Sequence, residues 1–184
     1  DAQEYLVYVG PLSQDIFEKL FDAVCVPIDP TARSRLEQIK DYVVQITNCV
    51  PRELINLAKN IGFDPLTPEQ VDGILKAYEA RSLGAYRTET TSYYYKLDAD
   101  QRNETMQALT KMFLPRNASQ QTGRTGIFDW KFLDSGLVYQ STSEYGEPLY
   151  HPITPAAKKA LLDLYQICPL PKALRNGLVS NNLN

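Results

Sequence analysis

The chain has 184 residues, 43% of them hydrophobic, with 22 acidic against 19 lysine and arginine side chains and a net charge of −3. That length holds one domain or two small ones around a packed core, and the acidic balance works against general attraction to nucleic acid or anionic membrane. No apolar run approaches membrane-spanning length, three scattered cysteines make no disulfide framework, and a lone histidine, His151, leaves no His/Cys zinc site.

Tyr5–Val9 is a short run of β-formers closed by Gly10 and Pro11. A run this continuous suits a strand buried on both faces of a parallel sheet, whose other strands would lie upstream. The alternative is an edge strand pairing with Tyr93–Leu97. Helices follow. Ser13 is a suitable N-cap for an amphipathic stripe of Ile16, Phe17, Leu20, Phe21 and Val24. Asp29 or Thr31 caps a second helix burying Leu36, Ile39, Val43 and Ile46. A polar break at Thr47 and Asn48 precedes Pro51, which opens a third helix with Leu54, Ile55, Leu57, Ala58 and Ile61 on one stripe. Proline suits that first position because its φ is already helical and its missing N–H would be unpaired there. Thr67, Pro68 and Gln70 form a capping-box start for a fourth helix burying Val71, Ile74, Leu75 and Tyr78.

Residues 81–97 carry Gly84, a Thr/Ser/Glu run and three consecutive tyrosines, with no helical period, and read as a linker. The tyrosines wedge two modules together, stack on bases or line a partner interface. Asp98 caps a helix running to about Phe113. Asn117–Gly126 reads as a turn or short helix, Asp129–Ser135 as a further helix, and Leu137–Thr142 and Pro148–His151 as a hairpin. Thr154 and Pro155 cap a last helix with Ala160, Leu161, Leu164 and Tyr165 inside. The tail from Pro169 is rich in proline and asparagine.

The segment TNCVPRELINLAK (residues 47–59) carries the clearest functional signal. An arginine on a rigid first turn, Arg52, can pair bidentately with a phosphate or carboxylate, or stand solvated. The segment resembles the end of the small helical lid of P-loop ATPases of the AAA+ and STAND type, where a Gly-x-Pro or Gly-Asp-Ala-Arg turn starts a helix beside the nucleotide. Val50 and Pro51 match the first form, and Arg52 falls where the second places its sensor arginine; Asn48 and Cys49 stand where the glycine would be. VPRELINLAK, the tyrosine-rich middle and the pattern GLVYQ…LYHPITPAAKKALLDLY also resemble the NTPase region of Crinkler-type effectors. The region after 98 resembles a winged helix.

The resemblance implies a mainly α chain. Residues 1–12 hold the remnant strand of a P-loop core, 13–80 a helical lid, 81–97 a linker, 98–168 a winged-helix module with a β-hairpin, and 169–184 a tail. It implies that Val50 and Pro51 pack near the base of ATP and that Arg52 senses its terminal phosphate, with Mg supplied by an upstream core. The partners would be that core and a protein or effector region, in a host nucleus if the Crinkler likeness holds.

The competing reading is a winged-helix module that binds DNA or protein without nucleotide, with Arg116, Arg124 and Lys131 as its phosphate contacts. Asp129 and Asp134 on the candidate recognition helix, and Glu144 and Glu147 at the wing, oppose a DNA role and favour protein docking. Catalytic patterns are absent from the sequence: there is no GxxxxGK followed by Ser or Thr, no HExxH, no CxxC and no GxSxG.

Overall fold

A computed structural model of the protein describes residues 10–113, 136–142, 146 and 148–167. The fold is mainly helical with a two-stranded antiparallel hairpin. The expected strand at Tyr5–Val9, the polar turn at Asn117–Gly126, the helix at Asp129–Ser135 and the tail from Pro169 lie outside the described residues.

The helices are α1 (Gln14–Cys25), α2 (Pro30–Gln38), α3 (Lys40–Thr47), α4 (Pro51–Ile61), α5 (Pro68–Lys96), α6 (Ala99–Phe113) and α7 (Pro155–Ile167). Strands β1 (Val138–Thr142) and β2 (Pro148–Pro152) pair with Val138 opposite Pro152 and Thr142 opposite Pro148. Most starts are chemically marked. Asp29 accepts from the N–H groups of Thr31 and Ala32 at 2.9 and 3.3 Å, which decides the cap of α2. Thr67 and Gln70 satisfy each other's backbone N–H at the head of α5, and Asp98 and Gln101 do the same at α6. Thr154 accepts from the Ala157 N–H at 3.1 Å at the head of α7. Ser13 stands at the N-cap of α1 without a side-chain cap bond; its carbonyl accepts from Ile16 and Phe17 instead.

Three expectations are corrected. The helix expected to run from α2 through Ile46 breaks at Ile39, whose φ of −111° and ψ of 26° end α2 before α3 begins. Neither glycine nor proline marks that break. Ile16 is 54% exposed rather than inside. The largest difference is the linker at 81–97, which is the second half of one 29-residue helix, α5. Its stripe is Val71, Leu75, Tyr78, Ser82, Tyr86, Thr90 and Tyr93, spaced by three or four residues throughout and ending at the buried cap residue Leu97. The helical period is present, but tyrosine, serine and threonine carry it where aliphatic residues normally would. Because Tyr93–Lys96 is helical, it cannot be the strand partner considered for Tyr5–Val9.

Two cores share α5. The first gathers Phe17, Phe21, Leu36, Val43, Leu54, Leu57, Val71 and Leu75 between α1–α4 and the start of α5. The second gathers Tyr86, Met106, Leu109, Leu137, Ile153, Leu161 and Leu164 between the end of α5, α6, the hairpin and α7. Tyr93 and Tyr94 pack against this second core, whereas Tyr95 is 62% exposed. Arg102 of α6 donates to the Tyr94 and Tyr95 carbonyls at 3.3 and 3.0 Å, capping the last turn of α5.

Candidate functional site

The turn between α3 and α4 lies where the two cores meet. Thr47 is fully buried and donates its hydroxyl to the Val43 carbonyl at 2.7 Å, closing α3. Asn48 and Cys49 then take φ values of 50° and 55°. Two successive non-glycine residues in the left-handed region cost of the order of 1–2 kcal/mol each, less for asparagine, so the surroundings must hold them there. They do. The Cys49 carbonyl accepts from the Leu12 N–H at 2.9 Å, and Asn48 Nδ2 donates to the Ile153 carbonyl at 2.8 Å. The chain thus holds a left-handed turn here without glycine.

Val50 is 2% exposed and belongs to the second core, so it offers no surface to a base. The expectation that it packs on a nucleotide is corrected by its burial. Pro51 is half-buried at the first position of α4. Arg52 projects from the first turn with its side chain 48% exposed, and its Nε lies 3.3 Å from Glu53 Oε1.

Glu53 was not visible as a site residue in the sequence, and it organises this corner. Its side chain is only 8% exposed, yet it sits among hydrogen-bond donors. The Tyr86 hydroxyl donates to Oε1 at 3.1 Å, and the Tyr78 hydroxyl donates to Oε2, with the Glu53 carbonyl also 3.1 Å from it. Burial raises the Tyr86 hydroxyl to about 12, and the Glu53 charge adds to it, while Arg52 and the Thr154 side chain pull the other way. Burial, then the bond to Glu53, raises Tyr78 as well, so both phenols stay protonated donors. Glu89 is also held above its ordinary value by burial, with Arg52 acting to lower it. Arg52 is therefore a half-exposed cation beside a buried carboxylate.

The signal for this cluster was the spacing. Glu53 sits four residues before Leu57 on the buried stripe of α4, and Tyr78 and Tyr86 lie eight residues apart on the stripe of α5. The described grooves lie elsewhere. One, of about 380 Å³, is lined by Pro30, Thr31, Ser34, Arg35, Gln38 and Pro68, and another runs along the outer face of α5 from Arg87 to Lys96. Among the described residues no group of His, Cys, Asp and Glu could hold a metal ion, and no helix is long and apolar enough to cross a membrane. Arg116, Arg124 and Lys131 lie outside the described residues.

No family model, curated protein or solved structure matches the chain.

Proposed function

We propose that this chain is the C-terminal regulatory part of a P-loop NTPase. In this reading it closes over ATP and Mg held by a core that its own sequence does not contain, and it relays the nucleotide state to a protein partner or effector region. The observation that carries the reading is the connection made by the α3–α4 turn. Arg52, an exposed cation on the first turn of α4, stands two residues from Val50 in the second core and four from Asn48, which bonds Ile153. A ligand that moved this turn would move the module behind it. The entering chain lies at the same corner: Gly10 rests against the Tyr139 ring of β1, and Leu12 bonds Cys49. In this reading Pro51 and Arg52 face the nucleotide, and Val50 is the link to the second module.

An open corner supplies one wall of a site and no phosphate loop. Calorimetric titration of the isolated chain with Mg-ATP is therefore expected to give weak binding at most. A low-micromolar site in the isolated chain would sink the reading, as would a reading frame that encodes no strand, GxxxxGK loop and helix upstream of Asp1. The DNA-binding alternative rests on Arg116, Arg124 and Lys131 and gains no support from the described residues.

A further inference from the structure

We infer that Glu53 is a positioning residue that makes the pairing of Arg52 regulate the docking of the α7 N-terminus. This deepens the function proposed above and rests on it for the identity of the anion, but the connection itself is a property of this chain alone. The Glu53 carboxylate has three neighbours that stabilise its charge: the Tyr78 hydroxyl, the Tyr86 hydroxyl and the Arg52 guanidinium. Only Arg52 is a cation, and only Arg52 is half-exposed. It is the member that an incoming phosphate can draw away.

Losing it leaves a buried carboxylate without its counter-charge, held by two phenols. A buried charge stripped of its partner is strongly unfavourable, and the protein responds by letting water reach it. The path for that water is the seam on which Tyr86 sits. Tyr86 is 8% exposed and packs in the second core with Ile153 and Ala157, the residues flanking the Thr154 cap of α7. Opening at Tyr86 therefore loosens the bond from the Ala157 N–H to Thr154 and the bond from the Ile153 N–H to the Leu137 carbonyl. In the opposite direction, Arg52 seated on Glu53 holds that end of α7 closed. Anion binding at Arg52 and tight docking of α7 are mutually exclusive through one carboxylate.

Amide hydrogen exchange in the 184-residue chain, without nucleotide, tests this. Arg52→Ala is expected to speed exchange at Ile153 and Ala157 about tenfold, the scale of one lost charge-assisted hydrogen bond. Leu36, in the first core, is the reference and should not change, because the opening is local and not global. Arg52→Lys should restore protection. In a Glu53→Gln background, Arg52→Ala should add less than about twofold, since the two residues act on one interaction. Glu53→Leu, which removes the charge and fills the buried site with apolar volume, provides the same charge-free background if Glu53→Gln fails to fold. Unchanged exchange at both amides, an equal rise at Leu36, failure of lysine to rescue, or full additivity with the second substitution would each overturn the inference. These readings involve no ATP, so a negative nucleotide assay would leave the connection standing and would count against the NTPase reading alone.

Discussion

The two cores are built on different terms. The first is closed by local chemistry: Asp29 caps α2, proline opens α2, α4 and α5, and a reciprocal capping box starts α5. Its buried residues are mainly aliphatic and phenylalanine side chains at plain helical spacing, joined by Cys25 and Tyr78. The second also has capped helices, but it is assembled on the far end of α5, whose contribution is Leu83 together with Tyr86, Thr90, Tyr93 and Tyr94. Between them stands a polar joint of Glu53, Tyr78 and Tyr86. A hydrophobic core holds wherever its volume is filled, whereas a hydrogen-bonded buried carboxylate holds only while its donors are in place. The joint is therefore the part of this molecule that a charge can address.

The strongest test of the comparison removes a core leucine from each side. Leu57→Ala and Leu161→Ala each empty a fully packed position and are expected to cost about 2–5 kcal/mol. Because α5 is continuous through both cores, urea unfolding of either variant should remain one transition followed equally by amides on both sides. Separate transitions would split the molecule into two units and weaken any relay between them.

Ala85→Pro attacks the strut itself. Ala85 is exposed in the middle of α5, so the substitution creates no core cavity, but it removes one helical hydrogen bond and clashes with the preceding turn at a cost of about 3 kcal/mol or more. Exchange protection should fall first at α6, the hairpin and α7, with α1–α4 retaining theirs. Equal loss everywhere would mean that the first core depends on the second more than its packing indicates.

Asn48 separates geometry from bonding at the joint. Asn48→Gly keeps the left-handed turn available and loses the bond to Ile153, at about 1 kcal/mol. Asn48→Ala adds the strain of φ 50°, about 1 kcal/mol more. The glycine variant being the worse of the two would show that the turn is not strained. The smallest expected effect is a gain: Gly84→Ala meets nothing within 4 Å on the surface of α5 and should stabilise by about 0.5–1 kcal/mol. No gain would point to distortion of the helix at that position.

What the sequence disclosed follows the same division. Pro51, Thr67 and Thr154 announce helix starts because caps act within four residues, and the first core was readable because its stripe is aliphatic. The second half of α5 was not, since glycine, threonine and clustered tyrosine all disfavour an isolated helix and packing on α6 and α7 overrides them. Ile39 breaks a helix with no local signal at all. Arg52 stood out as a cation on a first turn, while Glu53 beside it looked like an ordinary solvated carboxylate; only the approach of two tyrosines from 25 and 33 residues away makes it a buried anchor. Val50 was misplaced for the same reason, because its neighbours come from the other end of the chain.

In the proposed function Arg52 meets a nucleotide. Single-turnover ATP hydrolysis by the complete product of the reading frame, comparing Arg52 with Arg52→Ala, tests it most directly. At least about a tenfold slower turnover is expected for the alanine variant, the loss that follows when one cation leaves a developing phosphoryl charge, with the protein still folded. A folded Arg52→Ala protein that hydrolyses ATP at the original rate would contradict it.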